Sequence, residues 1–324
     1  QGKAGTLRVE NYRSLESPRV SLLDHALART LPAVPRGVVR RVSARYIAGP
    51  ELADARRVVA ELNAEGKLAT VDVLGEEITT EAEAAAIARG YRDALAALAG
   101  DHLDANVSVK LTALGLKLDY GLCRANLEAV VREAASLGTC GRVDMEDATC
   151  TDDTLRLYRD LREAGLDNVG VVLQACLRRT VLDVRALADL RPSVRLCKGI
   201  YVEPAAIAFQ DYDEVRAAFV TALDALFESG CYVAVATHDE YLIRRTLERV
   251  RGRRREDYEL QMLLGVREAR AEQLVRDGHR LRIYVPFGSR WYEYSLRRLQ
   301  ENPKLAGLIA GDVIRRAVPG LRPR

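Results

Sequence analysis

The strongest constraint on this chain is a rhythm. Short stretches rich in Val, Leu and Ile alternate eight times with stretches long and periodic enough to be helices. The strands are expected over 68–74, 106–111, 141–147, 168–176, 193–199, 231–239, 258–265 and 281–288. Helices are expected between them, over 51–64, 80–98, 119–137, 152–164, 180–189, 213–228, 240–250 and 267–277. Thr80 followed by Glu83 is a capping-box signature for the second of these helices. Several strand segments read as near-continuous apolar runs, as expected when both faces are covered. Strands alternating with helices predict parallel βαβ units, and eight of them in about 250 residues is the size of a (β/α)8 barrel. The runner-up, a doubly wound open sheet, is weakened because neither GxGxxG nor GxxxxGK[ST] occurs. The fold class is therefore α/β, a TIM-type barrel over 51–303, preceded by a basic helical arm (1–50) and followed by a tail (304–324).

Composition narrows the function classes. The chain carries 49 basic against 46 acidic residues, net +3, which argues against a dedicated nucleic-acid binder. The six cysteines form no CxxC pair and only four histidines exist, so neither a metal site nor a disulfide framework is expected. No apolar run approaches the roughly 18 residues of a membrane span, and no signal peptide is evident. A cytoplasmic location is expected. The run RGRRRE (251–256) reads as a solvated loop on the face away from the active site, with polyanion binding as its alternative. His25 and His102 read as incidental.

In barrels of this type the chemistry sits at the C-terminal ends of the strands. The polar residues there are Lys110, Asp144, Glu146, Gln174, Arg195, Lys198, Thr237, His238, Asp239, Gln261 and Tyr284. Charges within apolar strands are costly unless they pair or meet a ligand. A structural ion-pair network and a functional site would use the same residues, and both stay open at this point. A Schiff-base lysine, Lys110 or Lys198, is a further alternative. After the eighth strand the chain turns at Pro286–Gly288 into a segment with Tyr294, Arg297, Arg298 and Glu301 at helical spacings. Two adjacent guanidiniums suit a carboxylate, and Glu301 can brace either one.

These segments together resemble the proline dehydrogenase family, in its monofunctional bacterial form. The resemblance rests on GKLATVDVLGE (66–76), VSVKLTALG (107–115), VDMED (143–147), VLQAC (172–176) and VRLCKGIYVEP (194–204). It continues through ATHD (236–239), QMLLG (261–265), YVPFG (284–288) and YSLRRLQEN (294–302). It implies a distorted barrel with a final helix over its mouth, and FAD held non-covalently at the strand C-termini. It also implies oxidation of L-proline to Δ1-pyrroline-5-carboxylate by hydride transfer from C5, the first step of proline catabolism, with a quinone as electron acceptor. That acceptor implies peripheral contact with the inner face of the membrane, and the second oxidation would fall to a separate pyrroline-5-carboxylate dehydrogenase. By motif, Gln174, Arg195, Met145, Lys198, Gly199, Ile200, Thr237 and His238 would meet the cofactor. Lys110 and Asp144 would lie near the reacting centre, with Arg195 stabilising charge on the reduced ring. Tyr284, Arg297, Arg298 and Leu264 would form the proline pocket, and Glu76 would pair with the first arginine to close it. Ile200 departs from the alanine expected in KGIY.

Overall fold

The structure is a computed structural model that describes residues 45–75, 78–292 and 294–295. The eight strands are β1 (Leu68–Val73), β2 (Ala105–Val109), β3 (Gly141–Val143), β4 (Val169–Gln174), β5 (Ser193–Cys197), β6 (Tyr232–Ala236), β7 (Tyr258–Leu263) and β8 (Leu281–Phe287). All pair in parallel and in chain order, and β8 returns to β1 to close the barrel. The compact unit that holds them spans Ser43–Trp291.

Helix α1 (Leu52–Ala64) precedes the barrel. The helices α2 (Glu81–Gly100), α3 (Tyr120–Ser136), α4 (Thr151–Glu163), α5 (Thr180–Leu187), α6 (Tyr212–Glu228), α7 (Glu240–Arg249) and α8 (Glu268–Arg276) then connect successive strands. Their starts are set by side chains that accept the otherwise unpaired amides of the first turn. Thr80 and Glu83 form the expected reciprocal box on α2. Asp119 accepts from Leu122 on α3, Asp211 caps α6, and Asp239 caps α7. On α2, Ala84, Ala88, Tyr91, Leu95 and Leu98 are buried at three- and four-residue spacing, which puts one stripe against the strands.

Most strands alternate, whereas in β4 Val171, Val172 and Leu173 all join the apolar core. Val71, Val107, Val109, Val171, Leu196, Val235, Leu260 and Val285 belong to the apolar core shared with the helices. Their neighbours are Asp72, Ser108, Arg195, Gln261 and Arg282, all buried as well. These polar residues face the lumen, because Arg195 on β5 bonds Gln261 on β7, and such non-adjacent strands meet only across the inside of the barrel. Two buried faces made the strands look like continuous apolar runs, although one face is polar.

All eight strands end one to four residues earlier than expected. β3 stops at Val143, so Asp144, Met145 and Glu146 stand just past it rather than on it. Asp144 still donates its amide to the Val109 carbonyl at 2.9 Å, which keeps the chain extended there. Lys110 likewise follows β2, Lys198 follows β5, and Thr237, His238 and Asp239 follow β6. The expected N-terminal arm and C-terminal tail lie almost wholly outside the described residues, and so does most of the final helix.

One glycine is demanded by contact. Gly265, after β7, has φ +71°, and a Cβ there would sit 1.9 Å from the Arg45 carbonyl oxygen. Gly265→Ala should therefore lower the unfolding free energy by about 2 kcal/mol or more, read from urea unfolding.

Candidate active site

The centre of the mouth is Arg195. Its side chain is 7% exposed and spans the lumen from β5. Nη1 donates to Asp144 Oδ1 at 2.7 Å and to Ser108 Oγ at 3.0 Å, and Nε donates to Gln261 Oε1 at 2.5 Å. Asp144 is therefore held from several sides: Ser108 donates to Oδ1 at 2.6 Å and the Tyr284 hydroxyl to Oδ2 at 3.0 Å. The Arg195 guanidinium also lies 5.3 Å from the centre of the Tyr284 ring, a cation–π distance. Its second terminal nitrogen, Nη2, is buried and has no hydrogen-bond partner among the described residues. A buried, unpaired N–H of a charged group is costly, so this nitrogen is a donor that an acceptor at the mouth would satisfy.

Beside this cluster Lys110 pairs with Asp72 at 2.7 Å. Tyr91 reaches in from α2 and donates to the other Asp72 oxygen at 3.0 Å. Burial first, and then the Asp72 charge, push the Tyr91 phenol pKa far up, so it stays a donor.

The loops after β4, β5 and β6 form the other wall. Gln174 donates to the Glu146 carbonyl at 2.8 Å, and Glu146 in turn accepts from the Thr112 amide at 3.0 Å. Gly199 has φ +100°, and a Cβ on it would meet Cys176 Sγ at 2.3 Å and Gln174 Oε1 at 3.0 Å. Only glycine lets the chain after β5 come this close to Gln174. Asp239 then fastens this wall. It accepts from Arg216 through two nitrogens at 2.9 Å each, from Tyr212 at 2.7 Å and from Lys198 at 3.3 Å. Burial alone would raise its pKa. The hydrogen bonds from Arg216 and Tyr212, with the charges of Lys198 and Arg216, outweigh that and hold it well below the usual carboxylate range. His238 accepts the Leu263 amide on Nε2 at 2.9 Å, so its own proton sits on Nδ1.

Asp144, Arg195 and Tyr284 thus converge on one spot, with the Lys110–Asp72 pair at the ends of β2 and β1. Gln174, Lys198, Gly199, Thr237 and His238 ring it from the ends of β4, β5 and β6. Met145 is buried beside Asp144, Leu264 is half-buried just after β7, and Ile200 is exposed on the loop after Gly199. Glu76, Arg297 and Arg298 lie outside the described residues. Ser108, Asp72 and Tyr91 do not stand out in the sequence; Ser108 bonds the Arg195–Asp144 pair, Asp72 holds Lys110, and Tyr91 holds Asp72. The first two sit on the same strand face as Lys110 and the residues opposite it, a period-2 signal hidden by their small or isolated character.

The competing sequence readings fare differently. A Schiff base needs a neutral amine, and both Lys110 and Lys198 are ion-paired. In the RGRRRE loop, Arg254 pairs with Asp257 at 3.0 Å and Arg255 lies 2.6 Å from His279 Nδ1. Part of that positive charge is therefore engaged locally, on an exposed loop. This loop enters β7 at the barrel end opposite the site.

Comparison with known proteins adds a relationship. A family model described as proline dehydrogenase matches residues 55–309. Proline dehydrogenase 1 of Bacillus subtilis is 35% identical over 291 residues, covering 89% of this chain and 96% of its own. Proline dehydrogenase of Deinococcus radiodurans is 33% identical over 303 residues, covering 92% of this chain and 98% of its own. The crystal structure of proline utilization A from Bdellovibrio bacteriovorus, inactivated by N-propargylglycine, superposes with a TM-score of 0.78 at 23% identity. That match covers 93% of this chain but 40% of the other, and at such identity it speaks for the fold.

His238 yields a pH prediction. Burial, then the nearby charges of Arg267 and Lys198, lower its pKa to about 4. The unfolded chain, at about 6.5, takes up the proton first. The contribution of neutral His238 to stability is thus complete above about pH 6.5 and declines as pH falls toward about 4. Imidazole NMR should show His238 as the Nδ1–H tautomer at pH 7, with no titration above about pH 5.

Proposed function

This chain belongs to the proline dehydrogenase family, and from that premise we propose how it works as the enzyme of the first step of proline catabolism. It oxidises L-proline to Δ1-pyrroline-5-carboxylate with FAD held non-covalently at the barrel mouth, and a quinone is the final electron acceptor. The observation that carries the cofactor assignment is the buried, unpartnered Nη2 of Arg195 at the centre of the mouth. The close packing of Gly199 on Cys176 and Gln174 supports it, since it holds the chain after β5 beside the Gln174 side chain at the mouth. The surrounding donors fit a ring with polar edges.

FAD when bound supplies a two-electron sink for the hydride leaving C5 of proline. The chain supplies position and field. Arg195, Gln174 and Lys198 are the donors that would hold the cofactor, with Met145, Gly199, Ile200, Thr237 and His238 lining it. Arg195 carries a fixed positive charge, suited to stabilising negative charge that develops beside it. Asp144 orients both Arg195 and Tyr284, so one carboxylate sets two walls of the pocket. Lys110, anchored by Asp72, brings a further positive charge to the reacting end. Tyr284 and Leu264 would pack against the proline ring. Arg297 and Arg298 would hold its carboxylate through planar forks of donors, and Glu76 would close over them.

Among the described residues no helix is long and apolar enough to cross a membrane. Quinones partition into lipid, so electron delivery in this reading takes place in the cytoplasm at the inner membrane surface. The product goes on to a pyrroline-5-carboxylate dehydrogenase.

The purified protein should be yellow, with near-stoichiometric flavin that bleaches on anaerobic addition of L-proline. A colourless chain that FAD cannot reconstitute would sink the proposal. Arg297→Ala and Arg298→Ala should each raise the KM for proline about ten- to hundredfold, the worth of a charge-assisted hydrogen bond. Steady-state kinetics with an unchanged KM would make the pair merely structural.

A further inference from the structure

Below Arg195, on the floor of the lumen, stands a carboxylate with no evident part in the chemistry. Glu259 lies on β7, is 1% exposed, and is two residues before Gln261 on the same inward face. It accepts from Arg282 Nε at 2.9 and 3.1 Å and from the Tyr232 hydroxyl at 2.9 Å. It also accepts from the Gln261 amide nitrogen. Arg282 is tied in turn to the Ala69 carbonyl at 2.7 Å. Burial would raise the Glu259 pKa, but Arg282, Arg142 and the Gln261 bond hold it down at about 2, so it is an acceptor at every working pH.

The polarity of this chain has one solution. Arg195 Nε can only donate, so Gln261 must turn its oxygen upward. The amide NH2 then points down and needs an acceptor, and a carboxylate offers nothing else. Glu259 thus fixes which way the Gln261 amide faces. With Nε held by Gln261 and Nη1 by Asp144 and Ser108, the guanidinium plane is determined and Nη2 alone is left over.

We infer that Glu259 is a positioning residue for Arg195: through the Gln261 amide it sets the guanidinium so that Nη2 faces the cofactor. This rests on the FAD reading above for its consequence, though the geometry of the chain stands without it. With Glu259→Gln, the lower partner can donate as well as accept, so the Gln261 NH2 loses the carboxylate that anchors it from below. The Gln261 oxygen is then less firmly placed under Arg195 Nε, and the guanidinium shifts. The double variant Glu259→Gln with Gln261→Glu restores an acceptor under Arg195 and keeps the charge of the lumen.

The test uses the full chain as purified with its flavin. The 15N–1H resonance of Arg195 Nε, identified by its loss in Arg195→Lys, is recorded for wild type, Glu259→Gln and the double variant. Midpoint potential, proline dissociation constant and the rate of flavin reduction by proline are measured on the same samples. Glu259→Gln should move the Nε resonance and slow flavin reduction about tenfold, leaving proline affinity unchanged. It should also shift the midpoint negative, by about 30 mV for each tenfold weakening of reduced over oxidised flavin binding. The double variant should recover both. If Glu259→Gln fails to fold because Arg282 loses its counter-charge, Glu259→Asp keeps that charge while drawing the acceptor back from the Gln261 amide, with the same expectations. A folded variant whose resonance or potential does not move overturns the inference. A wild-type chain that carries no flavin overturns the functional reading instead, and the Nε resonance then decides the role of Glu259 alone.

Discussion

The ion pair between Arg195 and Asp144 lies inside a closed barrel, and the geometry of the site depends on it. Two charges removed from water are tolerated only when nearly every donor and acceptor is answered, and deleting one partner of such a pair costs about 3–5 kcal/mol. The answers come from β2 (Ser108), β7 (Gln261) and β8 (Tyr284), none of them next to β5. No hairpin or single βαβ unit could satisfy them. The pair is therefore complete only when the barrel is closed, and the step that finishes the fold is also the step that assembles the site.

This places two different kinds of interaction on two faces of the same strands. Outward residues such as Val107, Val171, Leu196 and Val285 merge with the helices into one apolar shell. Such burial contributes roughly 25 cal/mol per Å2 and is nearly indifferent to direction. The lumen does the opposite. Its hydrogen bonds add little net stability each, about 1 kcal/mol, but they demand particular donors and acceptors. The shell accounts for why the chain folds. The lumen accounts for why Arg195 points one way. Many barrels fill this space with branched apolar side chains; here Arg142, Arg282 and Glu259 occupy its floor.

That division also explains what could be read from the amino-acid sequence. All eight strands, their order and the connecting helices are legible there, because strand and helix are set by local period and by caps such as Thr80. The residues at the strand ends are legible too, since a Lys, Asp or Arg within an apolar run stands out. Their partners are not. Gln261 is 66 positions from Arg195, and only the register of the closed barrel brings them together. Glu259 was absorbed into an apolar strand, although Glu-Leu-Gln is an inward–outward–inward pattern. Tyr91 belongs to a helix outside the barrel and reaches Asp72 past the strand, which no periodicity signals. The ends of β2 and β3 look longer in the sequence for a related reason: Asp144 keeps one sheet-like bond after the ladder stops.

The mouth is organised by carboxylates rather than by its cations. Asp72 holds Lys110, Asp144 holds Arg195, and Asp239 holds Lys198 and Arg216 while capping α7. Each acid belongs to a different strand end, so the cations it fixes are separated and cannot drift into one patch. Each positive group named here pairs with an acid, Lys198 and Arg216 sharing Asp239, which limits the field met by a ligand arriving from the mouth. Selectivity then cannot come from bulk charge. It has to come from the few donors whose direction is fixed and whose acceptor is missing, and Arg195 Nη2 is such a donor. In the proposed reading, the proline zwitterion and the acceptor-lined edge of the flavin would both meet a mouth whose described charges are largely paired and whose single N–H groups are strictly placed.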